Sequence, residues 1–128
     1  MNGIMPYHRP STVRSRTELY QDAVAVVATN YARDIELDDV AREVASSRRQ
    51  LQRVFAEVGG TTFRWHLAKI RMQQAAQLLR QGELTVREVA MRVGYRQPAQ
   101  FAKAFRRHMG QTPKDYRRLH GGMARVLH

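Results

Sequence analysis

Two short segments, fifty residues apart, carry the side chains best suited to reading a hydrogen-bonding pattern. The first holds Arg49, Gln52 and Arg53, and the second holds Ala99, Gln100 and Lys103. Arginine presents a rigid fork of donors that matches the O6 and N7 acceptors of guanine. Glutamine sets a donor beside an acceptor and so matches N6 and N7 of adenine. Each such bidentate pair discriminates by ~1–3 kcal/mol. Around them stand Arg48, Lys69, Arg96, Arg106, Arg107, Arg117, Arg118 and the Thr112 hydroxyl. These groups suit phosphate oxygens, which position a duplex without reading it. The pattern implies contact with double-stranded nucleic acid, although a solvated basic helix face would show the same residue types.

Other chemistry finds little material. The five histidines, at 8, 66, 108, 120 and 128, lack zinc-ligand spacing. Zero cysteines exclude disulfides, thiolate metal sites and a thiol nucleophile. Neither a G-x-x-x-x-G-K loop nor an H-E-x-x-H helix is present. Glu83 and Glu88 flank a helix start, where solvated acids are ordinary. The expectation is no enzyme, no catalytic residue, no metal and no cofactor.

Helices must position the two segments. Val86, Val89, Ala90 and Val93 recur at helical spacing behind Thr85, a good N-cap, and Gly94 ends the run. Pro98 suits the first turn of the next helix, and Phe101, Phe105 and Met109 form its apolar stripe. With Phe101 inward, the turn of 100° per residue puts Arg96, Ala99, Gln100, Lys103 and Arg107 outward. Gly110 closes this helix, and Thr112, Pro113 and Asp115 open another. Helix, glycine turn, helix is the helix-turn-helix plan, whose second helix enters a major groove.

The same logic appears upstream. Thr17 to Tyr31 reads as a helix on the stripe Leu19, Ala23, Val26 and Val27. Leu37 to Ala45 follows, with Val40, Ala41 and Val44 inward. Ser46 and Ser47 cap a third helix, Arg48 to Val58, and Gly59-Gly60 ends it. Leu51, Val54, Phe55 and Val58 are expected to face the core, leaving Arg49, Gln52, Arg53 and Ala56 outside. Between the copies runs Thr62 to Gln81, free of Gly and Pro, with Trp65 expected at a helix-packing seam. Twenty helical residues span about 30 Å. Successive major grooves on one face of a duplex are ~34–36 Å apart, so this strut could space two probes. The expected architecture is all-α, about seven helices: two helix-turn-helix subdomains, residues 17–60 and 83–119, joined by a linker helix over 61–82. Residues 1–16 read as a mobile basic arm and 120–128 as a short tail.

The spacing Arg71, Ala75, Leu78, then Val89-Ala90, Val93-Gly94-Tyr95, Phe101, Phe105 and Gly110-Gln111-Thr112-Pro113, resembles the AraC/XylS signature. The resemblance runs from about Thr17 to Leu119. It implies two helix-turn-helix units on a long helix. It places Arg49, Gln52 and Arg53, and Pro98, Ala99, Gln100 and Lys103, in or beside the grooves. It also implies recruitment of RNA polymerase, more often activating than repressing. The chain leaves no room for a separate effector or dimerisation domain, as in the stand-alone MarA-like members. Two departures stand out. Ala45 occupies the first turn where the family usually has glycine, so a tighter or differently shaped turn is expected. Ala99 and Gln100 replace small hydroxyl and aromatic residues, so the first unit is expected to read more sequence than the second.

Composition agrees. The net charge is +11, from 22 Lys and Arg against 11 Asp and Glu. It is unevenly spread: residues 1–16 carry +3, residues 17–60 carry −3 and residues 61–128 carry +11. A basic chain facing a polyanion is the natural inference. The sequence has no apolar run near the ~18 residues of a membrane span and no secretory signal, and zero cysteines fit a reduced cytoplasm. The expectation is a sequence-specific transcriptional regulator, bound as a monomer to promoter DNA in the cytoplasm with the nucleoid. Its alternatives are an architectural protein that binds DNA without reading it, and a DNA-binding fragment of a longer effector-responsive regulator.

Overall fold

The computed structural model describes residues 14–121, and among them the chain forms seven α-helices and no strand. They are α1 (Arg16–Asn30), α2 (Leu37–Glu43), α3 (Arg48–Glu57), α4 (Phe63–Gln81), α5 (Val86–Arg92), α6 (Pro98–Met109) and α7 (Pro113–His120). They fall into two compact units. Among the described residues, one holds 14–30 and Asp34–Leu67, the other Tyr31–Arg33 and 68–121. The boundary runs through α4, so the expected linker helix is no separate body. Its first turn supplies Phe63 and Leu67 to the first unit, and its remainder supplies Met72, Ala75, Ala76 and Leu79 to the second. A helical hairpin alone buries too little apolar surface to stand by itself, and each unit gains a wall from the shared helix.

In the first unit the buried residues are Leu19, Ala23 and Val27 of α1, Leu37, Val40 and Ala41 of α2 with Val44 beyond it, and Leu51, Val54 and Phe55 of α3. Phe55 is the hub. Tyr20 meets its ring edge-on at 5.4 Å and Phe63 does so at 6.1 Å, with the His66 ring tilted at 5.8 Å. Edge-to-face pairs of this kind add about 0.5–1.5 kcal/mol beyond the burial itself. The second unit repeats the arrangement around Phe101 and Phe105, whose rings stand 5.7 Å apart, with Tyr116 of α7 edge-on to Phe105 at 5.4 Å.

Three expectations change. Val58 lies past the last residue of α3 and is 37% exposed, because the stripe outruns the core. Trp65 is 47% exposed, because α4 faces the first unit with Phe63 and Leu67, and residue 65 lies on the opposite side of a 3.6-residue helix. The arm expected over residues 1–16 fails for its last three. Ser15 caps α1: its hydroxyl accepts from the Glu18 N–H at 3.1 Å, and its own N–H donates to the Glu18 carboxylate at 3.0 Å. Half-buried Arg14 donates to the Asp22 carboxylate at 2.9 Å and to the Val44 carbonyl at 2.5 Å. The rest of that arm, and all of the expected tail after Gly121, lie outside the described residues.

Candidate nucleic-acid interface

The two turns that aim α3 and α6 share one hydrogen-bonding plan. In the first, Val44 donates to the Val40 carbonyl at 3.0 Å, Ala45 to Arg42 at 3.2 Å and Ser46 to Ala41 at 2.8 Å. In the second, Val93 donates to Val89 at 3.1 Å, Gly94 to Met91 at 3.2 Å and Tyr95 to Ala90 at 2.8 Å. Such a six-to-one bond requires a left-handed residue just past the helix. Gly94 supplies it at φ 104°, and Ala45 supplies it at φ 55°. Ala45 takes the left-handed conformation itself, against a penalty of ~1–2 kcal/mol, and closes its turn with the same three hydrogen bonds as the second copy. The three backbone hydrogen bonds that this conformation completes offset that penalty.

The copies then diverge by one residue. Only Ser46 lies between Ala45 and the N-cap Ser47, whereas Tyr95 and Arg96 lie between Gly94 and the N-cap Gln97. The longer turn lets the Tyr95 ring pack edge-on against Phe101 at 5.7 Å, with the Arg71 guanidinium 5.5 Å from its centroid. The Ser47 hydroxyl accepts from the Gln50 N–H at 3.1 Å, and Pro98 takes the first position of α6. Both starts follow local rules.

With Leu51, Val54 and Phe55 buried, α3 exposes Arg49, Gln52, Arg53 and Ala56. Arg48 is exposed at its start, paired with Asp38 of α2 at 3.0 Å. On α6, burial of Phe101 and Phe105 leaves Ala99, Gln100, Lys103, Arg106 and Arg107 exposed, with Arg96 exposed in the turn before it. Lys69 of α4 is exposed as well. Arg49, Lys69, Arg96, Lys103, Arg106 and Arg107 have no ion-pair partner among the described residues. In the second unit, the unneutralised Lys69, Arg96, Lys103, Arg106 and Arg107 set a positive field at the α6 face. Half-buried His108 feels it. Partial burial lowers its pKa from 6.5, and the charges of Arg107 and Lys69 lower it further.

Three expected phosphate ligands also make contacts within the chain. Half-buried Arg117 donates from its guanidinium to the Leu84 carbonyl, tying α7 to the loop before α5, so its geometry supports a structural role. The Thr112 hydroxyl caps α7, accepting from the Asp115 N–H at 3.1 Å. Exposed Arg118 pairs with Asp115 at 3.2 Å. Thr85 and Glu88 form a reciprocal cap on α5, with N–H to oxygen distances of 2.8 and 3.0 Å. The Thr85 backbone N–H and then its hydroxyl hold the Glu88 carboxyl below 4.5.

Two tethers had no local signal. Arg71 donates to the carbonyls of Tyr31 at 2.7 Å and Arg33 at 2.9 Å, which binds residues 31–33 into the second unit. Arg80 donates to the Tyr116 hydroxyl at 2.5 Å. Both partners lie more than 35 residues away in sequence, so only the family spacing around Arg71 hinted at a role. Among the described residues no cluster of three or more His, Asp or Glu side chains could hold a metal ion, and no helix is long and apolar enough to cross a membrane.

Comparison with known proteins fits this geometry. The profile of a family described as a helix-turn-helix domain matches residues 40–119. The regulatory protein SoxS of Escherichia coli K12 is 32% identical over 103 residues, which are 80% of this chain and 96% of that protein. The lactose operon transcription activator of Staphylococcus xylosus is 34% identical over 97 residues, 76% of this chain and 35% of that protein. The chain spans about a third of the length of such longer relatives. Among solved structures, the DNA-binding domain of the global transcriptional factor AdpA, determined in complex with a target DNA, superposes with a TM-score of 0.75. It is 29% identical, covering 81% of this chain and 94% of that one.

Proposed function

The chain belongs to the AraC-type family of helix-turn-helix DNA-binding domains, and we propose that it is a sequence-specific transcriptional regulator that inserts α3 and α6 into successive major grooves. The observation that carries this reading is the duplicated device. Two turns of matching hydrogen bonds each present a helix whose apolar side is buried and whose polar side is exposed. On α3, Arg49, Gln52 and Arg53 face base edges; on α6, Gln100 and Lys103 do so, and Ala99 suits a thymine methyl. Arg48, Lys69, Arg96, Arg106, Arg107 and Arg118 hold phosphates. The 19 residues of α4 extend about 28 Å at 1.5 Å each, near the ~34–36 Å repeat of a major groove on one face.

The chain binds as a monomer, because it carries both reading helices itself. It acts in the cytoplasm at the nucleoid by recruiting RNA polymerase to promoters, and a relative named as a transcription activator supports the activating sign. Selection of bound duplexes from a random pool, followed by footprinting, tests the reading. The expected product is one motif with two half-sites about one helical turn apart, bound at least ~10³-fold tighter than random DNA. Equal binding to all sequences with a steep salt dependence would instead identify an architectural protein.

A further inference from the structure

The helix α3 ends in Glu57, the single acid in its ten residues. Helix physics gives no reason for it. A carboxylate in the last turn meets the negative end of the macrodipole. Following Arg53 by four residues, it forms the less favourable order of a helical ion pair. Beside a duplex it would also repel phosphate. Its contacts are specific nonetheless. Oε1 accepts from Nη1 of Arg16, on α1, at 2.5 Å, and Oε2 faces Nε of Arg53 at 4.0 Å. The carboxylate is thus pinned from a second helix while its other oxygen faces the inner nitrogen of an exposed arginine. Nε is the guanidinium nitrogen nearest the acid, an ion-pair contact too long for a hydrogen bond, and the two Nη groups remain available to a partner outside.

We infer that Glu57, held by Arg16, is a positioning residue that orients the Arg53 guanidinium for one base pair. The inference rests on the DNA-reading role proposed above for Arg53. A long, freely rotating arginine can settle on a phosphate as readily as on a base edge, and phosphate contact reads nothing. An acid behind Nε disfavours rotations that turn Nη inward, so binding loses less side-chain freedom at that position. Arg49 on the same helix has no acid partner among the described residues, and neither do Lys103, Arg106 and Arg107 of α6. Arg48 is paired with Asp38 but is assigned to phosphate, so among the base-reading residues the effect is confined to the base pair that Arg53 reads.

The test uses the full chain, its selected duplex and every single base-pair substitution of that duplex. Arg53→Ala identifies the base pair that Arg53 reads. Glu57→Gln is then expected to lose discrimination at that pair by about threefold to tenfold, with other positions unchanged. Its affinity for random duplex rises about two- to threefold, since a charge that repels phosphate is gone, and its salt slope stays the same. Its thermal midpoint holds or rises. Arg16→Gln gives the same one-position loss in weaker form. A purely structural role would instead lower affinity at all positions together with the midpoint. A motif read identically by wild type and Glu57→Gln overturns the positioning role alone. A wild type that selects no motif overturns the regulator reading and this inference with it.

Discussion

Replacing Ala45 by glycine isolates the energy held in the first turn. Ala45 sits at φ 55° and is exposed, so removing its Cβ relieves a left-handed strain and leaves no cavity. The strain is worth ~1–2 kcal/mol for an L-residue. Glycine costs about 0.5–1 kcal/mol in extra unfolded-chain entropy. The balance is a stabilisation of about 0.5–1 kcal/mol, or roughly 2–5 °C in the midpoint for a chain of this size. Trp65 is the sole tryptophan and lies in the first unit with Ala45, so its fluorescence follows that unit during urea or thermal unfolding. Far-ultraviolet circular dichroism follows both. The expected result is a higher midpoint by fluorescence and an unchanged selected DNA motif, because the turn keeps its shape. A lower midpoint by fluorescence would refute the strain argument, and a changed motif would refute the claim that the first turn keeps its shape.

Gly94→Ala is the opposite experiment. At φ 104° a new Cβ would stand 3.1 Å from the Ala32 carbonyl oxygen and from the Arg71 guanidinium, so a loss of about 1–3 kcal/mol is expected in chemical unfolding. Arg117→Gln should lower stability by about 1–3 kcal/mol through its lost tether to Leu84, with little change in the salt slope of DNA binding. Arg106→Gln should do the reverse, reducing the slope of log affinity against log salt by about one while stability stays the same. For His108, the depressed pKa means that the folded chain binds fewer protons than the unfolded chain below pH 6.5. Its contribution to stability is complete above 6.5 and is lost as pH falls from there through the folded value. His108→Gln should flatten the midpoint-against-pH curve in that window, and an unchanged slope would show that another group sets it.

Much of this protein was legible in the chain because its determinants are local. Apolar residues at steps of three and four, Ser47 and Thr85 as caps, Pro98 at a first turn and Gly110 at an end act within a few residues. These specify the helices and which side of α3 and α6 is exposed. Aligning Leu51 and Phe55 with Phe101 and Phe105 likewise revealed the duplication. What the chain could not disclose depended on partners far along it. Arg14 looks like part of a loose basic leader until Asp22 and the Val44 carbonyl receive it. Arg117 looks like one more phosphate ligand until the Leu84 carbonyl takes its guanidinium. Ala45 by its type disfavours a left-handed turn, yet the backbone's demand for hydrogen-bond partners imposes that conformation on it. An arginine's fork is identical whether it meets a carbonyl, a carboxylate or a phosphate. Residue type therefore announces the capacity to bind an acceptor, and only the folded arrangement determines which arginines are already occupied.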